Sequence, residues 1–233
     1  MPRRLLLISN STNHGQGYLD HVISEIDGFL GPVRRLVFVP FALKDREKYG
    51  ATAAQRLAAI GVEVQTLTTD EAGRRMAEEA KAVFTGGGNT FRLLKTLQES
   101  GILSILRERA LAGMPYLGSS AGTNIAAPTI RTTNDMPIVE PASFDALGLV
   151  PFQINPHYLD ADPGSTHMGE TRETRLKEFH EENETPVVGL REGAWIRVEE
   201  IGATLGGARG ARIFRRGQEP EERKTGESLD DLL

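Results

Sequence analysis

Ser120 stands at the centre of Gly118-Ser119-Ser120-Ala121-Gly122, a Gly-x-Ser-x-Gly frame that follows the short apolar run Met114-Pro115-Tyr116-Leu117. Small residues at helical spacing come next, up to Ala127. This is the sequence form of a nucleophile elbow, a tight strand-to-helix turn that pushes a serine hydroxyl clear of the sheet. Gly118 and Gly122 leave room for backbone to pass where a Cβ would block it. The following helix would aim its free N–H groups and positive end at the serine, where an oxyanion forms during acyl transfer. The glycine frame selects Ser120 over Ser119. The competing reading of the same residues is a plain βα turn with small residues for packing.

A second glycine-rich turn, Gly86-Gly87-Gly88-Asn89, also follows a strand pattern and opens a helix. It reads as a phosphate cradle, as one side of an oxyanion hole, or as a turn with no ligand. Neither the Walker pattern nor the dinucleotide fingerprint is present, which disfavours the first reading. In the second, an amide of Gly88 or Asn89 joins that of Ala121, the residue after the nucleophile.

A serine nucleophile needs a base and an acid that orients it. His14 lies in the first loop; His21 and His180 fall in helical patterns; His167 sits in a Gly/Ser-rich stretch. His157 follows a strand pattern through Asn155-Pro156, and the proline fixes its approach, so it is the preferred base. Asp135, in an irregular loop, and Glu192, just after an apolar strand pattern, are the candidate orienting acids, and spacing does not choose between them. There is no His-Glu-x-x-His and no pair of histidines at helical spacing with a suitable acid, so no metal and no cofactor are expected.

The elements that would carry these groups alternate. Leu5–Ser9 reads as a buried strand and Tyr18, Val22, Ile26 and Phe29 as a helix closed by Gly31-Pro32. Strands follow at 36–39, 62–67 and 82–85, with helices at 51–60, 71–81, 90–99 and 102–112. Such alternation predicts an α/β fold, a mostly parallel sheet with helices on both faces, and a site beyond the carboxyl ends of the strands. A further strand is expected at 149–154 and a charged helix at 169–183, then short antiparallel strands near the C-terminus. Residues 1–215 read as one catalytic domain and the charged stretch 216–233 as a frayed tail.

At 233 residues, 39% hydrophobic and 25% charged, the composition is that of a globular domain with a full core. A net charge of −5 argues against nucleic acid or an anionic membrane as partner. The chain has no cysteine, which removes disulfides and thiol nucleophiles and accords with a cytoplasmic location. The apolar run after Arg3-Arg4 is too short for a signal core, and no stretch approaches the roughly 20 apolar residues of a membrane span.

Several blocks then set the chain beside a known family: Leu-Ile-Ser-Asn-Ser-Thr near the N-terminus, Val-Phe-Val-Pro-Phe-Ala at 37–42 and Gly-Gly-Gly-Asn-Thr-Phe at 86–91. The more specific blocks are Pro-Thr-Ile-Arg-Thr-Thr-Asn-Asp-Met-Pro-Ile-Val at 128–139, Gln-Ile-Asn-Pro-His at 153–157 and Gly-Glu-Thr-Arg at 169–172. To about residue 215 the chain resembles peptidase E, the α-aspartyl dipeptidase family of serine peptidases. The resemblance implies a flavodoxin-like fold of the class I glutamine amidotransferase type, and hydrolysis of dipeptides and short peptides with an N-terminal aspartate. It implies Ser120 as nucleophile, His157 as base, Asp135 as third member with Glu192 as the alternative, and a homodimer. Selecting aspartate requires a cation for its side chain, with Arg131 and Arg172 as candidates, and a partner for its amine, with Glu170 and Asn89 as candidates.

One departure is visible: Ser119 stands where the family pattern has a tryptophan, a loss expected to widen the pocket or shift the leaving-group side. A cyanophycinase-like hydrolase of β-aspartyl peptides is an alternative that the 128–139 block disfavours. A non-catalytic flavodoxin-like binding module is the alternative if the triad never assembles.

Overall fold

The first strand, β1 (Arg3–Ile8), shows why the chain folds as it does. Its side chains alternate between two faces, and both are buried: Leu5 and Leu7 belong to one apolar core, Leu6 and Ile8 to another on the opposite side. A strand covered on both faces belongs inside a parallel sheet. The computed structural model describes residues 3–161, 169–200 and 202–233.

In chain order β1 is followed by α1 (Ile23–Leu30), β2 (Arg35–Val39), α2 (Arg46–Ala58), β3 (Glu63–Thr66), α3 (Glu71–Glu79) and β4 (Val83–Thr85). Next come α4 (Thr90–Glu99), α5 (Ile102–Leu111), β5 (Tyr116–Ser119) and the single-turn α6 (Ala121–Asn124). The remainder is β6 (Gln153–Tyr158), α7 (Arg172–Glu182), β7 (Val187–Arg191), β8 (Ala194–Glu200), β9 (Gly202–Gly207), β10 (Ala211–Phe214) and β11 (Glu221–Arg223).

Seven strands form the main sheet in the order β3-β2-β4-β5-β1-β8-β9. Its first five are parallel, whereas β8 and β9 run antiparallel to their neighbours. Four strands, β11-β10-β7-β6, form a second sheet. The turn from β7 to β8 carries the chain from one sheet to the other. The expected α/β architecture with a mostly parallel sheet is therefore present, with the antiparallel strands towards the C-terminus.

Two expectations are corrected. The strand expected at 149–154 begins later and runs through His157, because Leu149 and Val150 donate their amides to the carbonyl of Ala126 instead of a strand partner. The stretch after 215 is not a frayed tail. It supplies β11, and Leu229 and Leu232 are buried against the main core. The amides of Gly226 and Leu229 bond the carbonyls of Leu205 and Ala203, so the last residues close the side of β9. A charged composition hid this, since main-chain pairing needs no apolar side chain and two leucines suffice as anchors.

Candidate active site

Ser120 follows β5 with φ 52° and ψ −109°, a conformation that costs a non-glycine residue about 1–3 kcal/mol and is kept only where the surroundings enforce it. Its amide donates to the carbonyl of Ile8 at 3.0 Å. The Thr123 hydroxyl, 2.6 Å from that same carbonyl and 2.8 Å from that of Gly118, ties the turn to β1. Both glycines of the frame are sterically required. A Cβ on Gly118 would lie 2.4 Å from the Gly122 carbonyl oxygen, and one on Gly122 would lie 2.1 Å from that of Thr85.

His157 Nε2 is 2.9 Å from Ser120 Oγ, and His157 Nδ1 is 2.7 Å from Glu192 Oε1. His157 also has positive φ, 54°, at a bulge in β6, where Pro156 pairs with Leu190 and Tyr158 with Arg191. Bulges re-aim side chains, and here the extra residue turns the imidazole towards Ser120. The imidazole and the Glu192 carboxylate are both partly open to solvent.

Asp135, expected as third member, lies elsewhere. Its Oδ2 accepts from the amide and the hydroxyl of Thr90, each at 2.7 Å, so it caps the start of α4. The reason is positional. The loop carrying Asp135 packs on α4, whereas Glu192 sits in the β7–β8 turn directly beside the bulge.

The Gly86–Asn89 loop runs alongside the serine: a Cβ on Gly87 would be 3.0 Å from that of Ser120. Three of its four amides are committed. Gly86 donates to Val39, Gly87 to the Tyr49 hydroxyl at 2.8 Å, and Asn89 to Ala42. Gly88, at φ 129°, has no acceptor for its amide among the described residues, and neither has Ala121 at the start of α6. Two uncommitted amides flanking a serine are what an oxyanion requires.

Of the residues expected on substrate, Arg131 and Arg172 line one small cavity, together with Asn134, Asn155 and Arg175. Asn134 donates to the carbonyl of Pro156, so this cavity adjoins the strand that delivers His157. Arg131 lies over the Phe144 ring, and neither it nor Arg172 has a carboxylate in ion-pair range among the described residues. Burial, helped by the charge of Arg175, pushes the Arg172 guanidinium below its ordinary value, with Asp135 pulling the other way. Glu170 pairs with Arg175 at 3.4 Å. Asn89 caps α4 through Arg92 N and tethers the carbonyl of Met136, so both of its side-chain groups are engaged. Ser119 is fully buried and faces the interior, not an open channel.

Among the other histidines, His14 is exposed and His180 is buried in α7; His167 lies outside the described residues. Sequence reasoning missed Ser9, Asn10 and Tyr49. The signal for the first two was their place just past the carboxyl end of β1.

Comparison with known proteins gives concordant results. Peptidase E of Streptomyces coelicolor is 58% identical over 231 residues, covering 98% of this chain and 94% of that protein. A Drosophila melanogaster protein named "Probable alpha-aspartyl dipeptidase" is 49% identical over 216 residues, 91% of this chain and 90% of that one. The crystal structure of a peptidase from an acI-B1 Actinobacterium superposes with a TM-score of 0.73 at 16% identity, over 98% of this chain and 97% of the other, a likeness of fold. Residues 5–206, which hold the serine, the histidine, the glutamate and the glycine-rich loop, match peptidase family S51, and the chain belongs to that family.

Proposed function

We propose that this protein is a serine-type dipeptidase that cleaves Asp-Xaa dipeptides and short peptides with an N-terminal aspartate. The observation that carries the reading is one imidazole held between a strained serine hydroxyl and a carboxylate, at 2.9 and 2.7 Å. The names borne by the relatives, peptidase E and alpha-aspartyl dipeptidase, support the substrate class.

Ser120 Oγ attacks the carbonyl carbon of the aspartyl residue while His157 Nε2 takes its proton. The amides of Gly88 and Ala121 hold the oxyanion, each worth about 3 kcal/mol. The intermediate collapses as His157 returns the proton to the leaving amine, which departs and leaves an aspartyl ester on Ser120. Water, deprotonated by His157, attacks the ester, and aspartate is released as His157 returns that proton to Ser120 Oγ. Glu192 keeps the proton on Nδ1 and stabilises the imidazolium, the role Asp135 was expected to fill. Arg131 and Arg172, cations lacking a carboxylate partner among the described residues, receive the aspartate side chain.

The same reading places the enzyme in the cytoplasm as a homodimer. A cysteine-free chain suits that compartment, and among the described residues no helix is long and apolar enough to cross a membrane. Exposed Met136, Ile138 and Phe144 offer an apolar face for a second copy.

The test is Ser120→Ala assayed on Asp-Leu and Leu-Leu. Turnover of Asp-Leu falls by on the order of 10⁶ if the serine acts as described, and undiminished turnover by the variant overturns the mechanism.

A further inference from the structure

The motif Ser9-Asn10, just past the end of β1, takes no part in the mechanism above, yet both side chains are almost wholly buried, at 0% and 1% exposure. Each is bonded to the backbone of a residue at or beside the His157–Glu192 pair.

Ser9 occupies the bulge of β6. As the extra residue, His157 loses a ladder acceptor for its amide, and the neighbouring strand is left with an unmatched carbonyl. The Ser9 hydroxyl serves both: it accepts from His157 N at 2.9 Å and donates to Leu190 O at 2.8 Å. One hydroxyl thereby keeps His157 in its unfavourable φ and joins it to β7, two residues before Glu192. Its own amide donates to Ala194 O, on the far side of the β7–β8 turn.

Asn10 acts on the other partner. Its Oδ1 accepts from Gly193 N at 2.7 Å, the amide adjoining Glu192. Its Nδ2 donates to Thr12 O and Asn13 Oδ1, which fixes the amide in that orientation. Gly193 is at φ 81°, so the turn carrying Glu192 is held from the β1 side as well as by its own geometry.

We propose that Ser9 and Asn10 are positioning residues that set the His157–Glu192 contact, Ser9 from the histidine side and Asn10 from the glutamate side. The proposal rests on the Ser120-His157-Glu192 reading. A base carried on a bulge and a carboxylate carried on a tight turn meet within hydrogen-bond range only if both backbones are pinned to the same strand end, and small misplacements in such a constellation are costly.

The experiment is a set of variants, Ser9→Ala, Asn10→Ala, Glu192→Gln and Asn10→Ala combined with Glu192→Gln. Each is measured for kcat and KM on Asp-Leu and for the far-downfield proton resonance of His157 Nδ1–H. Ser9→Ala and Asn10→Ala should each lower kcat roughly ten- to a hundredfold with KM little changed, and should shift or abolish that resonance. Because Asn10 acts through Glu192, its loss should cost far less in the Glu192→Gln background than in the wild type. A purely structural role predicts the same factor in both backgrounds, and that result overturns the proposal. Retention of both kcat and the resonance in Ser9→Ala also overturns it, and this variant decides the matter if Asn10→Ala does not fold. Full activity of Glu192→Gln alone removes the triad reading itself, a failure distinct from equal factors in an impaired Glu192 background.

Discussion

Glu192 meets His157 because β6 and β7 lie side by side and the bulge in one delivers the imidazole to the turn ending the other, with Oε1 2.7 Å from Nδ1. Asp135, closer to His157 in sequence, is held by Thr90 instead. Glu192→Gln should therefore lower kcat by up to about 10⁴, as for a lost orienter elsewhere. Asp135→Asn should leave the His157 tautomer intact and weaken the start of α4 by about 0.3–1 kcal/mol through loss of charge at a helix N-terminus. Steady-state kinetics on Asp-Leu and denaturant melts of the two variants separate the roles.

Tyr49 accepts the amide of Gly87, and burial raises the tyrosine above its ordinary pKa, so the hydroxyl stays protonated through the working range. Tyr49→Phe removes only that oxygen. It strands a buried amide, at about 1–3 kcal/mol, and loosens the loop that presents Gly88. The expected result is a lower kcat at nearly constant KM, with weaker inhibition by a tetrahedral boronate analogue in proportion.

Asp160 is held below the usual carboxylate range, chiefly by hydrogen bonds from Arg191, which also pairs with Glu222. A depressed folded-state value means stability that is present above the unfolded value of about 3.9 and is lost as pH falls through the folded one. Asp160→Asn should then melt below the wild type at neutral pH, and the difference should narrow as the pH falls below about 3.9. Thermal melts across that range check it.

Removing residues 224–233 withdraws Leu229 and Leu232 from the core and uncovers β9. Each leucine contributes about 1.5–3 kcal/mol when buried, so the truncated chain should unfold at markedly lower denaturant. An unchanged midpoint would show that the closing segment contributes nothing.

These cases mark what could be read without coordinates. Ser120 was legible because a glycine frame encodes a local turn, and His157 because Asn-Pro-His announces a constrained approach. Both are properties of a few consecutive residues. The choice between Asp135 and Glu192 is instead made by which strands pair, and no local pattern encodes that. The strand expected at 149–154 starts only at Gln153, since Ala126, far upstream, takes the amides of Leu149 and Val150. Asn89 and Glu170 have the right chemistry for an ammonium group, but α4 and Arg175 engage them first. Polarity advertises a residue's capability; its neighbours decide how that capability is used.

Ser9 and Glu192 lie far apart in the chain, and the antiparallel pairing of β8, which follows Glu192, with β1 brings them to the same end of the sheet. A polypeptide not yet extended to residue 192 thus carries its serine and histidine without the carboxylate that His157 meets. Completing the site therefore waits on a residue near the end of β7, long after the elbow itself has been made.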